Sequence, residues 1–251
     1  MFRGLPRDVE LPHLDGMSQN NSSMRIAEIF QSIQGEGFLT GMPSVFVRTS
    51  GCPLRCRFCD TPYAAWAPEG EYLSLEEVVE RVAQFPQRHV VITGGEPMLW
   101  KELVPLTAEL HRLGRHLTIE TSGIRYLPVE CDLMSISPKL SNSTPLAAEK
   151  PHWARHHDRL RHQPEVIRQL VRQYTYQIKF VIDTPADCLE VEEYLRQFPE
   201  IDRSRVLLMP QGTDRQTLAE KAQWLIPYCR QHGLHYCPRV HIELFGNVRG
   251  K

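Results

Sequence analysis

The residues best placed to do chemistry lie in the stretch Gly51-Cys52-Pro53-Leu54-Arg55-Cys56-Arg57-Phe58-Cys59-Asp60-Thr61. Its cysteines are separated by three residues and then by two, and its glycine and proline predict a loop, which can wrap all three sulfurs around one small object. Three thiolates so placed suit three corners of an iron–sulfur cube, for which cysteine is the usual ligand. The fourth iron then has no protein ligand and can bind a substrate or cofactor, much as an open position separates catalytic from structural zinc sites. A zinc loop is the alternative, and it needs a distant fourth ligand because no histidine or further cysteine lies nearby. A disulfide fits less well, since the number is odd and the spacing short for good bridge geometry.

Such a loop must be held by regular structure. Ser44-Val45-Phe46-Val47-Arg48 reads as a short buried strand bounded by Pro43 and Gly51, and it delivers Arg48 and then the cysteines at its carboxyl end. Upstream, Ile26, Ile29, Phe30 and Ile33 supply apolar contacts leading into Gln34-Gly35-Glu36-Gly37, whose glycines allow a tight turn or a close approach to a ligand. Ser74 and Glu77 form a capping box that opens a helix with Leu75, Val78, Val79, Val82 and Phe85 on its core face. Val90 to Thr93 is the next strand, ending in Gly94-Gly95-Glu96-Pro97, and a helix follows that Pro105 can start and Gly114 can stop. Strands at Leu117 to Glu120, Asp132 to Ile136, Tyr176 to Ile182 and Arg205 to Met209, with helices at Pro185 to Gln197 and Asp214 to His232, continue the alternation.

Short apolar strands alternating with helices predict a parallel sheet, because parallel neighbours need crossover connections. About six such units are too few for a closed eight-stranded barrel. The expected fold is α/β, an open parallel sheet forming a partial (β/α)6 barrel over residues 24–251. In such sheets the ligand site lies at the carboxyl ends of the strands, where Arg48, the cysteine loop, Thr93-Gly94-Gly95, Glu120 and Ser137-Pro138-Lys139 all fall.

The 251 residues, 41% of them hydrophobic, can bury a substantial core, and a formal net charge of −1 gives no reason to expect nucleic acid or an acidic membrane surface. Residues 1–23 carry no targeting signal and are expected to form a mobile extension. No stretch is apolar enough to cross a bilayer, so a cytoplasmic protein is expected. Cys131, Cys188, Cys229 and Cys237 are scattered, which predicts reduced structural thiols. The basic, histidine-rich stretch 140–165 has no clear period; it is expected to be an irregular insertion, with the histidines of 152–162 facing water.

CxxxCxxC followed by Asp60-Thr61 resembles the cluster loop of radical S-adenosylmethionine enzymes. Within that superfamily, Gln34-Gly35-Glu36-Gly37, the cluster loop, Thr93-Gly94-Gly95-Glu96-Pro97, Ser137-Pro138-Lys139 and the ending His241 to Gly246 resemble the 7-carboxy-7-deazaguanine synthase family in order and spacing. The resemblance spans nearly all of residues 24–250. It implies that Cys52, Cys56 and Cys59 hold a 4Fe–4S cluster whose open iron chelates S-adenosylmethionine, and that cleavage of the sulfonium gives a 5′-deoxyadenosyl radical. Phe58, Cys59, Asp60, Gly95, Ser137, Pro138 and Lys139 match cofactor-contact positions, Gly95 because a side chain there would block close approach.

Ile33, Gln34, Gly35, Arg48 and Thr93 match substrate positions, with Glu36 and His241 as further polar contacts, and Thr61 matches a Mg2+ ligand. The implied reaction contracts the ring of 6-carboxy-5,6,7,8-tetrahydropterin to 7-carboxy-7-deazaguanine with loss of ammonia, a step towards queuosine-type nucleosides. An electron donor such as flavodoxin or ferredoxin and a homodimer are implied too. The chain departs from the family pattern in residues 1–23 and in the few residues after Gly246. A glycyl-radical activase and a non-catalytic zinc-holding interaction module are the rival readings.

Overall fold

The computed structural model describes residues 23–251. The expected N-terminal extension lies outside the described residues, except that Ser23 already belongs to the first strand. Strand β1 (Ser23–Ile33) turns through the loop after Gln34 and pairs antiparallel with β2 (Pro43–Thr49). The cysteine loop leads into a single turn of helix, α1 (Pro62–Ala65), and then to β3 (Glu71–Ser74), which returns antiparallel along the outer side of β1. Helix α2 (Leu75–Ala83) begins at the expected capping box, with the Glu77 amide donating to Ser74 Oγ at 3.2 Å and the Ser74 amide to Glu77 Oε2 at 2.8 Å.

The chain then alternates through β4 (His89–Gly94), α3 (Leu103–Arg112), β5 (His116–Thr121), β6 (Leu133–Ile136), α4 (Pro151–Arg161), α5 (Pro164–Gln173), β7 (Tyr176–Ile182), α6 (Pro185–Gln197), β8 (Val206–Pro210), α7 (Arg215–His232), β9 (His235–Tyr236) and α8 (Val240–Phe245). The sheet order is β3-β1-β2-β4-β5-β6-β7-β8-β9, and every neighbouring pair from β2 to β9 is parallel. The sheet is open, as expected of a partial barrel, but mixed: the segment before Gln34, read only as a source of apolar contacts, is an antiparallel strand. Val90, Val91 and Ile92 are fully buried, because in the parallel part of the sheet both faces are covered. Leu103, Leu106 and Leu110 of α3 pack into the same core. Among the described residues no helix is long and apolar enough to cross a membrane.

Three expectations need correction. The stretch 140–165 is not irregular: it holds a turn at Ser141–Ser143, all of α4 and the start of α5, with Pro151 and Pro164 opening the two helices. Its period was obscured because α4 buries only Ala154 and His157 and covers the rest with cations and aromatics. His157 accordingly does not face water but is fully buried. Helix α3 also starts two residues before Pro105, which sits in its first turn.

Candidate active site

A cavity of about 520 Å³ opens at the carboxyl ends of the strands, within the size range of small-molecule sites. Cys52, Cys56 and Cys59 line one side, and Gln34, Glu36, Arg48, Thr93 and Glu120 another. Ile33, Gly35, Phe58, Asp60, Thr61, Gly95, Ser137, Lys139 and His241 also reach it, whereas Pro138, named with them from the sequence, is buried outside the lining.

The cysteine loop is braced from behind. His157 Nδ1 accepts from the Arg55 amide at 3.0 Å and its Nε2 bonds Ser143 Oγ at 2.9 Å, while the Arg57 amide donates to the Ser143 carbonyl at 2.9 Å. Burial, the neighbouring charges of Arg161 and Lys139 also opposing a proton, lowers the His157 pKa to about 4, so the ring is neutral and can accept. The indole N–H of Trp66 donates to the Cys56 carbonyl at 3.2 Å. With its backbone held in this way, the loop presents all three cysteines to the cavity, although among the described residues no three His, Cys, Asp or Glu side chains are grouped closely enough to hold a single metal ion.

Those thiols fit an iron–sulfur cluster. Burial raises the Cys52 pKa, helped by the charge of Glu96, pushes Cys56 up to about 11 against the pull of Lys139, and raises Cys59. Clustered thiols so buried stay protonated unless a strongly cationic centre takes the place of the protons, which is what bound iron does.

Gly95 has a structural reason as well as the expected one. A Cβ there would lie 2.2 Å from the Gly51 carbonyl oxygen and 2.6 Å from that of Ala64, so it would strike the base of the cysteine loop itself. The next residue, Glu96, is fully buried and accepts from the Met98 amide, Thr121 Oγ1 and the Ser122 amide, which ties this turn to the end of β5. Lys139 folds back so that Nζ donates to both the carbonyl and Oγ of Ser137 at 2.9 Å.

On the opposite wall, Arg48 donates through Nε to Glu28 Oε1 at 2.6 Å. Its two terminal nitrogens have no hydrogen-bond partner among the described residues. Glu28 also accepts from Tyr63 Oη at 2.7 Å, and although burial works against it, the Arg48 and Tyr63 bonds hold its carboxyl below the usual range. Gln34 Nε2 and Thr93 Oγ1 donate to the two oxygens of Glu120, at 3.2 and 2.9 Å.

The cavity floor is an ion network. Glu36 is paired with Lys179, accepts from Arg239 Nε at 3.1 Å and lies 3.9 Å from His241 Nε2. Burial would raise the Glu36 pKa, but Lys179 and Arg239 outweigh it and keep the carboxylate ionised. Arg239 also bonds Asp60 and donates to the Gly212 carbonyl at 2.6 Å, which links the cysteine loop to the floor. Gly35 passes under His241, where a Cβ would come 2.0 Å from the ring nitrogen.

Sequence reasoning missed His157, Lys179 and Arg239, and left Glu120 as a strand exit without a partner. A signal existed for one of them: Gln177 and Lys179 alternate within the apolar strand β7, which puts a cation on the site face of a buried sheet. His157 had no such signal, because nothing in composition separates it from its exposed neighbours.

Comparison with known proteins agrees with this geometry. Residues 46–139 match the model of the Radical SAM superfamily. A 7-carboxy-7-deazaguanine synthase from Rhodopirellula baltica is 46% identical over 92% of this chain and 90% of its own length. One from Halobacterium salinarum is 39% identical over 90% of this chain and 92% of its own. The crystal structure of QueE from Escherichia coli shares the fold, with a TM-score of 0.65 and 24% identity over 86% of this chain and 93% of that one. These likenesses do not favour the glycyl-radical activase or the zinc module. At such identity and coverage the chain belongs to the 7-carboxy-7-deazaguanine synthase family of radical S-adenosylmethionine enzymes.

Proposed function

We propose that the cavity converts 6-carboxy-5,6,7,8-tetrahydropterin to 7-carboxy-7-deazaguanine with loss of ammonia, a carbon–nitrogen lyase reaction in 7-deazapurine and queuosine biosynthesis. The observation that carries this reading is that one cavity is lined both by three cysteines and by an arginine whose terminal nitrogens have no hydrogen-bond partner among the described residues. As a radical S-adenosylmethionine enzyme the protein uses a 4Fe–4S cluster and S-adenosylmethionine, which together supply, when bound, a carbon-centred radical able to take a hydrogen atom from the substrate.

The chain's own residues bind and orient. Cys52, Cys56 and Cys59 hold the cluster, and Phe58, Asp60, Gly95, Ser137 and Lys139 border the space for S-adenosylmethionine. Arg48, fixed by Glu28 through Nε, offers its two terminal nitrogens as a fork to the substrate carboxylate. Glu120, aimed by Gln34 and Thr93, accepts from N–H groups on the pterin edge, and Gln34 is itself oriented because its Oε1 accepts from the Glu36 amide at 3.1 Å. The Lys179–Glu36–Arg239 network, with His241 above Gly35, fixes the floor against which the ring lies. Thr61, at the start of α1 with no capping bond from its side chain, would supply a neutral oxygen to Mg2+. The electron donor is a flavodoxin or ferredoxin, and the working form is a homodimer, which light scattering tests.

Reduced protein incubated anaerobically with S-adenosylmethionine and 6-carboxytetrahydropterin is expected to give 7-carboxy-7-deazaguanine, identified by mass. Cleavage of S-adenosylmethionine with the pterin recovered unchanged would contradict the assignment.

A further inference from the structure

The outer side of the cysteine loop carries a group of cations that the cavity does not use. Arg55 lies between two indoles, its guanidinium 4.7 Å from the ring centre of Trp153 and 5.7 Å from that of Trp66. Lys150 Nζ sits 4.3 Å from the Trp66 ring. None of these residues lines the cavity, although Cys56, whose carbonyl Trp66 holds, does. The patch is therefore separated from a cluster ligand by one side chain, on the side away from the substrate.

Helix α4 extends it. At 100° per residue, His152, Arg155, His156 and Arg159 fall on one face beside Trp153, while His157 points inward. Lys150, His152, Arg155 and Arg159 are exposed. Among the described residues no carboxylate lies within ion-pair distance of Arg55, Lys150, Arg155 or Arg159. The nearby acids are otherwise placed: Asp158 turns to Thr144 and Arg161 on another face of the helix, Arg57 is taken up by Asp183, and Glu149 is the exposed acidic neighbour of Lys150. On a chain of net charge −1, four cations with no carboxylate partner among the described residues form a local positive field over the cysteine loop.

We infer that this face, formed by Arg55, Trp66, Lys150, Trp153, Arg155 and Arg159, is the docking surface for a small acidic one-electron carrier protein. The inference rests on the proposed function, since only a reductively driven reaction needs such a partner. The inner side of the loop faces bound reactants, so the carrier must approach from outside, and positive charge around two half-buried indoles suits an acidic surface surrounding a flavin or iron–sulfur centre. One electron leaves the carrier, which is oxidised by one, and is accepted at the cluster, which is reduced by one. No covalent bond forms or breaks.

A flavodoxin serves as the probe, read by binding and by turnover. Reversing Lys150, Arg155 and Arg159 together to glutamate is expected to raise the flavodoxin Kd about tenfold or more and to flatten its dependence on salt, while dithionite-driven cleavage of S-adenosylmethionine stays within about twofold of wild type. If the triple variant does not fold, Arg155→Glu and Arg159→Glu singly, each at an exposed position, are expected to weaken binding about threefold. A Kd within about twofold of wild type, or equal weakening by Arg230→Glu near the end of α7, would overturn the docking surface. Absence of dithionite-driven cleavage in the wild type would instead count against the proposed function, and the binding data would still decide the surface.

Discussion

At the amino ends of β2, β4 and β5, Ser44, His89 and Thr118 close on one another: His89 Nδ1 lies 2.7 Å from Ser44 Oγ and Nε2 3.1 Å from Thr118 Oγ1. At the carboxyl ends of the same strands, Arg48, Thr93 and Glu120 are also hydrogen-bonded, yet two Arg48 nitrogens have no partner among the described residues and all three residues border a cavity. Equal strands with similar polar content thus end in two kinds of site. At the amino ends Ser44, His89 and Thr118 satisfy one another, although the adjacent His116 Nδ1 is buried without a partner among the described residues, and none of the three borders the cavity; at the carboxyl ends the groups held in place but left unpaired face it and await a ligand. The cysteine loop extends the second pattern: its backbone is braced and its three cysteines border the cavity, Cys59 Sγ touching Thr61 Oγ1 at 3.8 Å.

The comparison can be broken by altering each end in turn. Cys56→Ala should have the largest effect, taking cleavage of S-adenosylmethionine to background and lowering bound iron; unchanged cleavage would remove Cys56 from the ligands. Next is Arg239→Ala, which leaves Glu36 buried with half its counter-charge gone and should cost about 3–5 kcal/mol in urea unfolding, as removal of one partner from a buried pair does. Addition of Glu36→Gln should recover part of that loss, and strict additivity would mean the pair is not coupled.

Arg48→Ala should weaken binding of the carboxylated pterin by about 1.5–3 kcal/mol, roughly ten- to a hundredfold, with the cluster spectrum intact. Equal affinity would return Arg48 to a purely structural pairing with Glu28.

At the amino end, burial and the nearby His116 lower the His89 pKa to about 4. The native state therefore binds fewer protons than the unfolded chain, whose histidine titrates near 6.5, so this contribution is complete above pH 6.5 and is lost as pH falls towards 4. Urea midpoints at pH 7 and pH 5 should show about 1–2 kcal/mol of this loss, and His89→Gln should remove it. An unchanged slope would mean that another group titrates. The smallest effect is expected at Thr61→Ala, which should abolish a modest stimulation of turnover by Mg2+ and leave cluster content unchanged; an identical metal response would take Thr61 out of the metal site.

Much of the site was legible in the sequence because chain order mirrors strand order across the parallel sheet. Arg48, Thr93, Glu120 and Ser137 each follow a short apolar run, and parallel pairing alone brings such ends together. The supports were less legible. His157, Lys179 and Arg239 reach the site through long-range contacts, such as Arg239 to Glu36, that no local period encodes. Helix α4 was hidden for a related reason: most of its surface packs no apolar core, so the hydrophobic spacing that betrays other helices is missing. The intolerance of Gly95 to a side chain has a protein cause that the sequence does not reveal, the carbonyl of Gly51, which only the folded loop brings beside it.

The central claim is that three cysteines hold a cluster and leave one corner open for the sulfonium donor. Electron paramagnetic resonance of the anaerobically reconstituted, reduced protein, recorded before and after addition of S-adenosylmethionine, tests it most directly. The account predicts a 4Fe–4S signal that changes when the cofactor is added, and a signal indifferent to the cofactor, or protein that assembles no cluster, would contradict it.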